Sequence, residues 1–215
     1  FERIGVTNKF FVEIGAGCGL ENNTTYLLLK DWQGLWVDAN TQNTEFTRDK
    51  FSKLIRECKL KVRNATITAE NIEIILSEEE MPQEIDLLSI DIDGNDYWVW
   101  KAINKYNPRV VVIEYNAFFK PPVKWVMKYN PHFNWDHNTM YFNSSLKSLE
   151  ILGKEKGYHL VGCTFTGVNA FFVRQDLTKD SFFEPFTAEN HFEPTRYHLT
   201  RKTGFQRWFG EFESI

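Results

Sequence analysis

One segment near the start of the chain constrains the fold more than any other. Residues 10–19 read Phe-Phe-Val-Glu-Ile-Gly-Ala-Gly-Cys-Gly, an apolar run with one acid that leads into three glycines spaced two apart. The pattern predicts a β-strand and a tight turn, because glycine tolerates positive φ and has no Cβ to keep the backbone away from a ligand. Such a turn indicates a nucleotide-like cofactor at the first strand-to-helix connection of an α/β sheet.

The spacing of these glycines separates two kinds of cofactor site. Folds that bind NAD or FAD take Gly-x-Gly-x-x-Gly, and the third glycine of that pattern falls on Leu20 here. The spacing therefore argues against a nicotinamide-dependent oxidoreductase. A glycine-rich turn without a ligand is the alternative that this segment leaves open.

A second acid follows at the distance expected for a ribose contact. Residues 34–40 read Gly-Leu-Trp-Val-Asp-Ala-Asn, a short apolar run that ends at Asp38, 25 positions after Glu13. An acid at the tip of the second strand, about 20 residues beyond the glycine turn, accepts hydrogen bonds from ribose hydroxyls in dinucleotide-binding sheets. We therefore predict that Asp38 and the adjacent Ala39 contact the cofactor. The alternative is that Asp38 only forms a turn.

The rest of the chain alternates between strand and helix patterns, which predicts a mainly parallel sheet. Further strands are expected over residues 61–68, 85–92 and 109–113, and the near-continuous apolar run of 85–92 is typical of a central parallel strand. Ser145 is expected to cap a helix that runs to Lys156. A closing hairpin over residues 158–164 and 169–174 follows.

Two motifs resemble a known family. The run Glu13-x-Gly15-x-Gly17-x-Gly19 resembles motif I of the class I S-adenosylmethionine-dependent methyltransferases. The run Asp-Leu-Leu-Ser-Ile-Asp-Ile-Asp-Gly at 86–94 resembles the FkbM family within that class, although Asp93 stands where the family pattern has Glu. The resemblance covers residues 10 to about 175.

The resemblance implies a Rossmann-like α/β fold and a reaction. The expected sheet is seven-stranded and mostly parallel, with its last strand antiparallel and helices on both faces. The expected activity is O-methylation of a hydroxyl on a small molecule, sugar or other natural product, with S-adenosyl-L-methionine as cofactor. The residues implied to bind the cofactor are Glu13, Gly15, Ala16, Gly17, Gly19, Asp38, Ala39, Glu70, Asn71 and Asp91, where Glu70 and Asn71 are weak candidates for an adenine contact.

Polar residues at the ends of the fourth and fifth strands suggest two ways to activate the acceptor. Methyl transfer is an in-line displacement, so the acceptor oxygen must be aligned and must lose its proton. In the first mechanism Asp91, Asp93 or His137 is the general base. In the second, Mg²⁺ or another divalent cation lowers the pKa of the acceptor hydroxyl, with oxygen ligands from Asp91, Glu114 and Asn116.

Three regions are expected. Residues 1–175 form the methyltransferase domain, and within it residues 117–143, rich in aromatic residues and proline, form a lid or substrate wall. Residues 176–215 are a C-terminal extension expected to pack on or near the same domain.

The composition of the chain excludes some classes of binding partner. A net charge of -4 argues against nonspecific nucleic-acid binding, and no apolar run approaches the length of a membrane span. Three cysteines without CxxC spacing suggest neither a zinc site nor a disulfide framework, which favours a cytoplasmic protein. The expected partner is a small-molecule or glycan acceptor, with no nucleic acid and no membrane, and the sequence does not determine the oligomeric state. A non-catalytic binding module with the same fold is the alternative function.

Overall fold

The computed structural model describes residues 1–136, 138–196 and 211–214 of the 215-residue chain. The strands are Phe10–Ile14 (β1), Gln33–Asp38 (β2), Leu60–Asn64 (β3), Leu87–Ile90 (β4), Val110–Glu114 (β5), Trp125–Met127 (β6), Tyr158–Cys163 (β7), Asn169–Arg174 (β8) and Phe212–Ser214 (β9). The helices are Thr25–Leu28 (α1), Thr41–Lys50 (α2), Ser52–Arg56 (α3), Ile72–Glu78 (α4), Asp96–Ala102 (α5), Leu146–Glu155 (α6), Gln175–Thr178 (α7) and Ala188–His191 (α8).

Seven strands form one sheet in the order β3-β2-β1-β4-β5-β8-β7. The pairs from β3 to β5 are parallel, whereas β8 is antiparallel to both β5 and β7. This confirms the predicted seven-stranded, mostly parallel sheet with an antiparallel last strand. The chain reverses its direction of travel across the sheet between β1 and β4, and a crevice at the carboxyl ends of the strands is the usual ligand site at such a reversal.

Side-chain alternation along the strands builds a core on each face of the sheet. Val12 and Ile14 of β1 face a cluster that also contains Leu76 of α4 and Leu149 of α6, whereas Phe11 faces a second cluster on the opposite side. Because successive strand residues point to opposite faces, a buried parallel strand needs apolar residues at nearly every position. Helices thus cover both faces of the sheet.

Two strands are shorter than the sequence predicts. The predicted third strand runs to residue 68, whereas β3 ends at Asn64, which pairs with Asp38 at the end of β2. The ladder stops there because its neighbour ends, so the apolar residues that follow lie beyond the sheet. The predicted fourth strand of residues 85–92 is likewise reduced to Leu87–Ile90.

The helix predicted to follow Ser145 is confirmed. The Ser145 Oγ accepts a hydrogen bond from the main-chain N of Ser148 at 3.3 Å, and the helix ends at Glu155. Among the described residues, none of the helices has both the length and the apolar composition that a bilayer crossing requires.

The described part of residues 176–215 contacts the rest of the chain at several places, including α6 and β6. The main-chain N of Ala188 at the start of α8 donates to the Glu150 carboxylate on α6 at 2.6 Å. The short strand β9 pairs with β6 in a separate two-stranded sheet.

Candidate functional site

The glycine turn after β1 is held against two neighbouring strands. The main-chain N of Gly15 donates to the carbonyl of Val37 on β2 at 2.8 Å, and the N of Asp91, after β4, donates to the carbonyl of Ile14 at 3.0 Å. Gly15 and Gly17 have positive φ values of +81° and +57°. The turn is therefore fixed at the point where the sheet reverses, with left-handed backbone that favours glycine.

Asp38 links the tip of β2 to this turn. Its Oδ2 accepts a hydrogen bond from the main-chain N of Gly17 at 2.7 Å, and its Oδ1 accepts from the N of Asn40 at 2.8 Å. Each carboxylate oxygen has more than one acceptor site, so Asp38 retains the capacity to bind further donors.

A cavity of about 920 Å³ opens at the carboxyl ends of β1 to β4. This volume lies within the range of small-molecule and cofactor sites. Its walls come from the glycine turn, the tip of β2, the segment after β3, the turn after β4 and part of the 117–143 segment. The lining residues include Gly15, Ala16, Gly17, Glu21, Asp38, Ala39, Ala65, Thr66, Ile67, Asp91, Asp93, Asn95, His132 and Phe133.

The cavity is acidic. Four carboxylates line it, from Glu21, Asp38, Asp91 and Asp93, and none of the described residues in its lining is Lys or Arg. His132 supplies the imidazole group in the wall. The lining therefore favours a ligand that carries positive charge or is neutral over one that carries phosphate groups.

Two residues predicted to contact adenine lie outside this cavity. The side chain of Asn71 hydrogen-bonds within its own loop. Its Nδ2 donates to the carbonyl of Thr66 and its Oδ1 accepts from the N of Thr68, both at 2.8 Å. Glu70 accepts a hydrogen bond from the hydroxyl of Tyr129. The wall at this place is built by Ala65, Thr66 and Ile67 instead.

Glu13 and Gly19, also predicted to bind the cofactor, lie outside the lining of the cavity. The Glu13 carboxylate is buried and accepts hydrogen bonds from the N of Asn23 at 2.8 Å and from the Thr24 hydroxyl at 2.5 Å. A Cβ at Gly19 would lie 2.6 Å from the Trp36 ring. Neither residue lines the cavity, so they shape the loop after the glycine turn.

Asp91 after β4 and Glu114 at the end of β5 form a cluster with Asp96, which was not among the predicted site residues. Carboxylate oxygens of Asp91, Asp96 and Glu114 lie within 4.8 Å of one another. Asp96, at the first position of α5, accepts hydrogen bonds from the N of Ile92 and the N of Gly94, both at 3.0 Å. The sequence signal was an Asp at a helix start five residues after Asp91, which is equally typical of an ordinary first-turn acid.

Burial and mutual repulsion disfavour full ionisation of this cluster. Burial, followed by the charges of neighbouring acids, raises the pKa of Asp91 and of Glu114 well above their ordinary values. Burial raises the pKa of Asp96 to about 7 against the hydrogen bonds that it accepts. Near neutral pH the cluster must therefore hold protons or bind a compensating positive charge.

Asn116, predicted as a metal ligand, hydrogen-bonds to the 117–143 segment. Its Nδ2 donates to the carbonyls of Met140 at 2.8 Å and Phe142 at 2.9 Å, and its Oδ1 accepts from the N of Phe118 at 3.2 Å. The side chain thus holds the end of the 117–143 segment. Asp96, which was not among the predicted ligands, lies beside Asp91 and Glu114.

Part of the 117–143 segment is fastened over the cavity. Asn95 Nδ2 donates to the carbonyl of Asn130 at 2.7 Å, and Trp98 Nε1 donates to the carbonyl of Met127 at 2.7 Å. Phe133 packs on the turn after β4, since a Cβ at Gly94 would lie 2.6 Å from its ring. His137, a candidate base, lies outside the described residues, whereas His132 lines the cavity.

No family profile matches the sequence, and no curated protein matches it. Solved structures do match. An O-methyltransferase from Bacillus cereus in complex with S-adenosylhomocysteine is 18% identical, with 51% of this chain and 50% of that chain covered and a TM-score of 0.38.

Two further matches cover more of the chain. A precorrin-6y C5,15-methyltransferase from Geobacter metallireducens is 13% identical over 80% of this chain and 85% of that one, with a TM-score of 0.45. A magnesium protoporphyrin IX methyltransferase from Synechocystis with bound S-adenosylmethionine is 9% identical over 76% and 69%, with a TM-score of 0.46. The chain spans about half the length of the first of these three proteins. All three are methyltransferases, and each is a protein to which this chain is similar at low identity.

Proposed function

We propose that this protein is an S-adenosylmethionine-dependent methyltransferase. The observation that carries the proposal is the hydrogen bond between Gly17 N and Asp38 Oδ2, two residues that line the 920 Å³ cavity. It brings the glycine turn and the acid at the tip of β2 together at the point where the sheet reverses. A carboxylate at this position suits ribose hydroxyls, and glycine backbone without Cβ atoms admits a ligand closely.

Different parts of the cavity lining suit the amino-acid end, the ribose and the base of S-adenosylmethionine. The backbone of Gly15, Ala16 and Gly17 would face the ribose and the amino-acid end, with Asp38 and Ala39 at the ribose hydroxyls. The small and apolar side chains after β3 give a wall for a flat base. The acidic lining suits a cofactor that carries a sulfonium and an ammonium group.

When bound, the cofactor supplies an electrophilic methyl group. In the proposed reaction the acceptor oxygen forms the new O–C bond, the S–C bond breaks, and the acceptor proton passes to a carboxylate of the protein. We propose Asp93 as this base, since it lines the cavity and lies outside the cluster of Asp91, Asp96 and Glu114. Asp91 is the alternative base, and His137 remains a prediction from the sequence.

A cation that touches the acceptor is left out of the proposed reaction. Of the three residues predicted to hold Mg²⁺ (Asp91, Glu114 and Asn116), Asp91 is the one that lines the cavity. A cation held mainly by the other two would lie behind the cavity wall. We therefore assign activation of the acceptor to a carboxylate base.

We propose an oxygen acceptor on a small molecule or glycan, and membership of the FkbM-like methyltransferases, on the motif at residues 90–94. The acidic lining supports a neutral or cationic acceptor rather than nucleic acid. The described cysteines are all free thiols, which agrees with the cytoplasmic location that we propose. The proposed domain comprises residues 1–175, with 176–215 as an extension of it.

Calorimetry with S-adenosylmethionine and S-adenosylhomocysteine tests the proposal. We expect micromolar binding by the intact protein, loss of binding in Asp38→Ala, and unchanged binding in Asp49→Ala, an exposed acid on α2 outside the cavity. Binding would justify a screen of hydroxylated acceptors with Asp93→Asn as the inactive control. Failure of the folded intact protein to bind either compound would overturn the proposal. Binding without turnover of any acceptor would favour the non-catalytic module.

A further inference from the structure

We propose that a hard divalent cation binds beneath the cavity wall, held by the carboxylates of Asp91, Asp96 and Glu114 and by the amide oxygens of Asn143 and Asn169. The three carboxylates come from the end of β4, the start of α5 and the end of β5, and their oxygens lie within 4.8 Å of one another. Asp96 and Glu114 are buried. Clustered acids alone do not make a cation site, and here two buried amide oxygens, from Asn143 and Asn169, accompany them.

Two buried amide oxygens beside this cluster have no hydrogen-bond partner among the described residues. Asn143 is fully buried and donates through Nδ2 to Glu114 Oε2 at 2.5 Å, while its Oδ1 has no donor. Both atoms belong to one small planar amide, so Oδ1 lies beside the same carboxylate. A buried carbonyl oxygen without a donor is costly, and it calls for a partner.

Asn169 is the second such residue and lies on the strand next to β5. It stands opposite Glu114 in the antiparallel β5–β8 ladder, so the two side chains lie on the same face of the sheet. The residue is 8% exposed, and its Oδ1 has no donor. Two independent amide oxygens therefore need an electropositive partner at the place where three acids converge.

The positive partner is not a side chain within the described ranges. No ion pair joins Asp91, Asp96 or Glu114 to a Lys, Arg or His among those residues. A set of carboxylate and amide oxygens without nitrogen or sulfur is the donor set of hard cations. Because the surroundings are buried, the site suits Ca²⁺ or Mn²⁺ better than Mg²⁺, which retains several waters.

This cation would position the site rather than touch the acceptor. Asp91 lines the cavity, whereas Asp96, Glu114 and Asn143 do not. A cation behind Asp91 would neutralise the cluster and fix the turn between β4 and α5, which carries Asp93. The inference does not depend on the proposed methyl transfer.

Calorimetric titration of the chelator-treated protein with CaCl₂, and with MnCl₂ followed by electron paramagnetic resonance, tests the site without cofactor present. We expect about one cation per chain. Glu114→Gln keeps the shape of the side chain but removes its charge, and it should weaken binding by more than about tenfold. Asn143→Gly, which tolerates the φ of +56° at this position, should also weaken it. Glu21→Gln, which removes an acid of the cavity outside the cluster, should bind normally.

Two results would overturn the inference. One is that the folded intact protein binds neither cation at millimolar concentration. The other is that Glu114→Gln binds as the intact protein does, provided that circular dichroism shows it folded. Cofactor binding is measured separately, so a protein that binds S-adenosylmethionine without any cation would refute this site and leave the proposed function standing. Cation binding without cofactor binding would do the reverse.

Discussion

Gly15 packs directly against the carbonyl group of Asp91, since a Cβ built on Gly15 would lie 1.6 Å from the Asp91 main-chain oxygen. Gly15 also has a φ of +81°, which residues other than glycine rarely adopt. This contact joins the glycine turn after β1 to the acidic turn after β4. Because the obstacle is main chain, it cannot move aside as a flexible side chain could.

Gly15→Ala should therefore destabilise the protein far more than an alanine at another left-handed glycine. Gly5 has a φ of +67°, and a Cβ added there would meet nothing within 4 Å, so Gly5→Ala incurs backbone strain alone, about 1–2 kcal/mol. Gly15→Ala adds a backbone clash and should cost at least ~3 kcal/mol. Urea unfolding of both variants measures the difference, and similar midpoints would contradict the contact described above.

The buried carboxyl of Glu13 predicts a dependence of stability on pH. Burial raises its pKa above the ordinary value of 4.5 despite the hydrogen bonds that it accepts. For an acid with a raised pKa in the folded state, the stabilisation is complete below the unfolded pKa and is lost as pH rises through the folded pKa. Glu13→Gln never ionises, so its unfolding free energy should rise relative to the wild type as pH increases from 4.5.

Urea unfolding of wild type and Glu13→Gln at several pH values from 4.5 to 7.5 checks this expectation. Glu2→Gln, which removes an exposed carboxyl group, serves as the control. A constant difference for Glu13→Gln would show that burial does not govern this carboxyl.

Ser145 couples helix α6 to the start of the segment over the cavity. Its Oγ accepts from the N of Ser148 and from the N of Trp125 at 3.1 Å, and it donates to the carbonyl of Val123 at 2.7 Å. Ser145→Ala should cost about 1–2 kcal/mol through the lost cap and the buried groups left without partners. Ser77→Ala, at an exposed position of α4, should stay within about 0.5 kcal/mol of the wild type in the same thermal or urea unfolding assay.

Asn95 fastens the turn that carries His132 and Phe133. Its Nδ2 donates to the carbonyl of Asn130 at 2.7 Å. This bond joins the turn at residues 130–133 to the segment that carries Asp93, two residues before Asn95. Asn95→Ala should speed amide hydrogen exchange at residues 130–133 and leave exchange in β1 unchanged, because the loss is about 0.5–1.5 kcal/mol and local.

Mass spectrometry of hydrogen exchange measures this effect, with Asn134→Ala, an exposed position on the same turn, as the control. Under the proposed function, Asn95→Ala also lowers turnover while cofactor affinity is retained. Unchanged exchange at 130–133 would mean that the turn is held by other contacts.

Local patterns predicted the frame of the molecule. The glycines at 15 and 17, the acid at 38 and the apolar runs of the strands each depend on neighbours within a few residues, so their turn, strand end and burial follow from the local sequence. The sheet with an antiparallel last strand followed from the order of these elements, together with the family resemblance. Strand ends were less accurate, because β3 stops where its neighbour β2 stops and not where its own apolar run ends.

The partners of the polar side chains depended on tertiary structure. The alternation of side chains along β1 predicts that Glu13 lies on the same face of the sheet as Phe11. Only the fold shows that the N of Asn23 and the hydroxyl of Thr24 donate hydrogen bonds to its carboxylate there. The hydrogen bonds of Asn116 to the carbonyls of residues 140 and 142, and the position of Asp96 beside Asp91, could not be read from the sequence. Asn143 and Asn169 carry no sequence signal at all, since their role depends on the buried acids that they meet.

The sequence by itself thus determined the strands, the turn and the edge of the sheet where the site lies. Which side chains meet at that edge was decided by tertiary structure, because such contacts join residues far apart in the chain.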